Sequence, residues 1–150
     1  MRKEYDLLKS EFNLPSFDDL NKDFDIEDIS KDDNILREIV KKINGVVDFY
    51  INFLEDVIHP DSRYYSLKEA NVLDKDLRLL AVKIYNKLMY LNRSGLSLNL
   101  DYSKKDASLR IINVFNEWQS LKKDLLSIVI VLKDSWLNHN EAKHDGGYFG

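Results

Sequence analysis

An apolar stripe that begins near Leu109 and runs to about Trp136 constrains this chain more than any other feature. Leu109, Ile112, Phe115, Trp118, Leu121, Leu125, Ile128, Leu132 and Trp136 recur in steps of three and four, the spacing that returns to one face of an α-helix. A second stripe, from Leu36 to Ile58, is almost as long, and a third joins Leu77, Leu80, Ala81, Ile84, Leu88 and Leu91. Stripes of this length must be buried against one another. With only 5 Gly and 2 Pro in 150 residues, the chain has too few turn formers for a β-sandwich or barrel. The sequence therefore predicts an all-α fold: an antiparallel helical bundle of three long helices, over about 34–58, 75–94 and 104–138. Short N-terminal helices pack across it. One domain spans 1–138, and a polar tail, 139–150, follows.

Local signals place the element boundaries. Tyr5, Leu8 and Phe12 share a face and predict a short helix over 2–12, stopped by Leu14-Pro15 because the residue before proline avoids the helical region. Ser16 can cap a further turn, with Asp19 three residues on, and Phe17, Leu20 and Phe24 give that turn an apolar side. Gly45 interrupts the stripe of the first long helix, and the expected reason is a neighbouring helix passing close by. His59-Pro60 ends that helix. Residues 61–73 read as a loop or short turn, and Asp74 caps the next helix. Gly95 is expected to stop it in the left-handed conformation. Leu96, Leu98 and Leu100 alternate, as in an extended linker, before Ser103 and Asp106 start the last helix.

Net charge is −4, and it is unevenly spread. Residues 1–33 hold 11 acidic and 5 basic side chains, so the excess lies in an acidic N-terminal arm, and the remainder is slightly basic. Nucleic-acid binders carry a strong basic surplus, so nucleic acid is disfavoured as a partner. The most apolar run, Leu125 to Leu132, is far short of the roughly 20 residues that span a bilayer, so no membrane insertion is expected. No cysteine is present, which removes disulfides and thiolate chemistry, and the charged start Met1 to Asp6 does not read as a signal peptide. These features together suggest a soluble, cytoplasmic protein.

Motifs for chemistry are missing. The histidines are His59, His139 and His144, and the last two stand five apart, about 140° around a helix, so they cannot share one metal ion. Glu141 and His144 have the Glu-x-x-His spacing of di-iron bundles, but such a site needs two copies, and this chain has one. No Gly-rich phosphate loop occurs, and no arrangement of Ser, His and Asp suggests an activated nucleophile. No cofactor, metal ion or catalytic residue is assigned. The expected function is a small non-catalytic protein–protein interaction module, an adaptor or complex subunit that binds a protein partner or a second copy of itself. Candidate contact residues are the carboxylates Asp18, Asp19, Asp23 and Asp25 of the arm and the aromatics Tyr64, Tyr65, Trp136, Tyr148 and Phe149, since aromatic anchors bury much area at little entropic cost. The alternative is an enzyme or nucleotide-binding bundle whose site is assembled from scattered polar residues. A third reading is an RNA-associated protein using Lys41, Lys42, Lys104, Lys105, Lys122 and Lys123.

Overall fold

A computed structural model describes residues 1–31 and 34–137, and every element among them is an α-helix, so the all-α class is borne out. In chain order these are α1 (Arg2–Phe12), α2 (Phe17–Phe24), α3 (Ile35–Ile58), α4 (Tyr64–Val72), α5 (Lys75–Ser94), α6 (Leu96–Leu100) and α7 (Lys104–Ser135). Four of them start on a side-chain cap. Ser16, Asn34, Asp74 and Ser103 each accept a hydrogen bond from the backbone N–H three residues on, at 2.8–3.3 Å. Asp101-Tyr102-Ser103 separates α6 from α7, and Tyr102 reaches back to the Asn34 cap at 3.2 Å.

The relative directions of the long helices follow from which residues meet. Asn34 meets Tyr102, Asn44 meets Arg110 and Tyr50 meets Trp118, a nearly constant offset, so α3 and α7 run parallel. Asp48 meets Asn92 near one end of α5 and Glu55 meets Tyr85 nearer the other, so α5 runs against α3. It also runs against α7, because Lys87 pairs with Glu117 and Leu91 with Arg110. Between them lies the core: Leu36, Ile39, Val40, Ile43, Val47 and Leu54 of α3, Ala81, Ile84 and Leu88 of α5, and Ile111, Val114, Leu121, Leu125 and Ile128 of α7.

The arm lies over α3 and α7 at their N-terminal halves. Tyr5 is fully buried, meets Phe17 edge-on at 5.6 Å and donates to the carbonyl of Pro15 at 2.6 Å. Phe24 lies against Trp118 at 6.0 Å, and Asp28 bonds Lys42 of α3 at 2.7 Å. Asn13 and Asp25, both at positive φ, reverse the chain after α1 and α2.

Several local expectations are corrected. Residues 64–72 form α4 rather than a loop, because its buried face is the small pair Ser66 and Ala70, which no apolar stripe reveals. The Ser66 hydroxyl donates to the Asp56 carbonyl at 3.1 Å and so ties α4 to the end of α3. The expected linker 96–100 is the short helix α6, seated by Leu98. Gly95 is right-handed, with φ −80°, because the chain passes directly from one helix into the next. No close neighbour explains Gly45: it is exposed, and among the described residues nothing lies within 4 Å of a Cβ placed there. In the first half of α7 the inward face is Ala107, Ile111, Val114 and Trp118, while Leu109 is exposed and Ile112 and Phe115 are only partly covered. The stripe drawn from Leu109 advanced only by threes up to Leu121, and each such step slips about 60° around the helix. The last helix ends at Ser135.

Candidate functional site

Beyond the end of α2, the seam between α3 and α7 is open and apolar. Trp118, on the inward stripe of α7, forms its floor. Tyr50 leans on Trp118 at 5.5 Å, and Phe49 and Phe53 meet Tyr50 edge-on at 5.0 and 6.4 Å. Leu125, Leu126 and Val129 complete the opposite wall, with Lys122 above them, around a depression of about 280 Å³. A second depression, about 560 Å³, runs from Phe24 and Asp25 past Gly45 and Val46 to Phe49, and shares Tyr50 and Trp118 with the first. Phe49 is 63% exposed and Leu126 57%, so a large apolar side chain of each helix stands in solvent beside these depressions. Contiguous apolar surface of this kind marks contact sites.

A larger cavity lies elsewhere, about 760 Å³ between the end of α5, α6 and the start of α7. Arg110 lines it and is only 8% exposed. Its guanidinium is directed at the protein: one terminal nitrogen donates to the Leu91 carbonyl, and the other to Asn44 at 3.0 Å. Leu91 lies in the last turn of α5, where unsatisfied carbonyls form the negative pole of the helix, so this pole balances the buried cation. Gly95 permits the arrangement, since a Cβ there would come within 2.8 Å of the guanidinium. Burial pushes the Arg110 pKa down, and its Nε is the one buried side-chain nitrogen or oxygen without a partner among the described residues. Through these two contacts Arg110 of α7 ties together α5 and α3.

The residues singled out from the sequence fall in separate places. Asp18 pairs with Arg2 at 2.6 Å, and Asp19 accepts from Ser16 at 2.7 Å. Asp23 is turned inward, bonded to Lys122 and Gln119 of α7 at 2.9 Å each. Asp25 caps the end of α2 and borders the open face. Tyr64 and Trp136 meet at 6.2 Å, where α4 crosses the end of α7, and Trp136 also donates to Glu69 at 3.2 Å and lies under the Lys68 ammonium. Tyr65 donates to Asp56 at 3.3 Å. Tyr148, Phe149 and the histidines His139 and His144 lie outside the described residues. Lys41, Lys42 and Lys122 are in ion pairs with Glu38, Asp28 and Asp23. Sequence reasoning missed Phe49 and Leu126. The available signal was that each lies off the inward stripe of its helix, where a large apolar residue has no core to enter.

Among the described residues no group of three or more His, Asp or Glu is arranged to hold a metal ion, and no helix is long and apolar enough to cross a membrane. No protein-family model, curated protein or solved structure matches the chain.

Proposed function

We propose that this protein is a non-catalytic interaction module, an adaptor or subunit, and that it docks through the open face of α3 and α7. The observation that carries the reading is the apolar depression lined by Tyr50, Trp118, Leu125, Leu126 and Val129, with the exposed Phe49 beside Tyr50 and nothing of the described chain over it. Aromatic residues grouped around a partly desolvated centre are the usual anchors of protein interfaces. Three of the four arm carboxylates are engaged locally or with α7, which favours a structural role for the arm and moves the contact surface to the seam beside it. The enzyme alternative is weaker because the two terminal nitrogens of the buried Arg110, beside the 760 Å³ cavity, are engaged by Leu91 and Asn44.

A photo-cross-linking amino acid at position 126, in cells that express the full chain, tests this. A discrete adduct from position 126 and none from position 79, on the outer surface of α5, is the expected result. Absence of any adduct at 126 would remove the reading.

A further inference from the structure

Asn44 and Gly45 form the one Asn-Gly pair in the chain. The side-chain amide of an asparagine can be attacked at Cγ by the backbone nitrogen that follows it, which closes a five-membered imide. A side chain on the following residue hinders that attack, and glycine has none. Nothing else among the described residues shields the pair: Gly45 is exposed, with no neighbour within 4 Å of a Cβ placed there.

Two features of the fold hold the reaction back. Gly45 lies inside the 24-residue α3, where a backbone N–H is donated to the carbonyl four residues earlier, so its nitrogen is not free to attack. The Asn44 side chain is engaged by α7, its Oδ1 accepting from Arg110 Nη2 at 3.0 Å, and this bond fixes the amide against the guanidinium. The helix is weakened at the same point, since an interior glycine costs about 1 kcal/mol relative to alanine. Local opening of α3 together with release from Arg110 brings nitrogen and amide together.

The product meets Arg110 as well. That guanidinium is buried, and its partners are the carbonyl of Leu91 and the carboxamide of Asn44, neither of which carries a full charge. A carboxylate at position 44 would turn the 3.0 Å contact into a charge-assisted pair, a class roughly twice as strong as neutral hydrogen bonds.

We propose that Asn44 is a deamidation site with Arg110 as its latch: the guanidinium retains the amide in the folded chain and receives the carboxylate that the reaction leaves. The Gly45 nitrogen gives up its proton and bonds to Asn44 Cγ, and the Cγ–Nδ2 bond breaks to release ammonia. Water then opens the imide. Attack at Cγ restores the ordinary backbone and leaves aspartate. Attack at the backbone carbonyl carbon reroutes the chain through Cβ and Cγ as isoaspartate, whose extra backbone atom an α-helix does not accommodate. Aspartate alone lets α3 re-form with a carboxylate on Arg110.

The test is peptide mapping by mass spectrometry of the full chain held at mildly alkaline pH, for the wild type, Gly45→Ala, Arg110→Met and Gly95→Ala. Each is compared at the urea concentration that leaves the same fraction folded, so that global unfolding contributes equally. The expected result is loss of the Asn44 amide ahead of any other asparagine in residues 1–137, suppressed in Gly45→Ala. Arg110→Met, which removes the guanidinium, and Gly95→Ala, which displaces it, should both speed that loss. Asn44→Asp made directly should raise the urea midpoint, and in an Arg110→Met background it should not. A wild-type Asn44 that keeps its amide, an equal rate whether or not Arg110 is in place, or a midpoint that Asn44→Asp does not raise overturns the proposal.

Discussion

Gly95 and Arg110 work as one unit, although fifteen residues and a helix junction separate them. Gly95 has helical dihedrals that alanine tolerates, so the only obstacle to a side chain there is the guanidinium. Gly95→Ala is therefore expected to displace Arg110 from Leu91 and Asn44 and to cost about 1–3 kcal/mol, the scale of a buried charged hydrogen bond, read as a lower urea midpoint. In an Arg110→Met background the same substitution should cost almost nothing, a coupling that a double-mutant cycle measures. A cost that persists without Arg110 would refute the unit. Gly45→Ala has the opposite expectation for the isolated chain, a gain of about 1 kcal/mol from helix propensity alone. From the sequence Gly45 is expected to lie under a neighbouring helix and Gly95 to stop a helix in the left-handed conformation, and neither holds. What distinguishes them is a guanidinium brought over one of them from α7, and a charged residue on the inner side of a helix is what periodicity assigns to solvent.

At the scale of elements, the arm is held by a few specific contacts. The buried carboxylate of Asp23 joins α2 to Lys122 and Gln119, so Asp23→Ala should speed amide exchange across α1 and α2 while leaving α5 unchanged. Unchanged exchange in the arm would show that its apolar side alone holds it. Tyr5 couples the arm to alkaline pH. Burial raises its pKa above the value of about 10 that holds in an unfolded chain, so its contribution is complete below pH 10 and is lost as pH climbs past that value. Absorbance titration should show one of the eight tyrosines ionising only as the arm comes loose, and Tyr5→Phe should flatten stability above pH 10. The capped helices were legible because each joins a cap to an apolar stripe: Ser16 with Phe17, Leu20 and Phe24, Asp74 with the stripe of α5, and Asn34 with that of α3. α4 and α6 were not. One buries Ser66 and Ala70, the other a single leucine, and neither leaves a repeating apolar signal. The open face was hidden for a related reason. Phe49 and Leu126 lie off the inward stripes of their helices, and that each borders an open seam follows only from how α3 and α7 meet.

At the scale of the molecule, the two tryptophans report on different parts. Trp118 is 4% exposed at the centre of the α2–α3–α7 junction, and Trp136 is 41% exposed where α4 meets the end of α7. Iodide should quench the emission of Trp136 alone, so Trp136→Phe is expected to leave a blue-shifted, unquenched signal. Adding Asp23→Ala should restore quenching if α2 loosens over Trp118, and a signal still shielded would mean that α3 and α7 cover the indole unaided. The arm's contacts also set an order of events during synthesis. The partners of Asp23 on α7 come 96 and 99 residues later in the chain. At about 5–20 residues per second, translation leaves α2 without that seat for roughly 5–20 s. Throughout that interval Phe24 lacks its cover by Trp118, on a nascent segment whose surplus of carboxylates repels others like it. The acidic excess of residues 1–33 therefore opposes contact between two such segments during the interval before α7 is made.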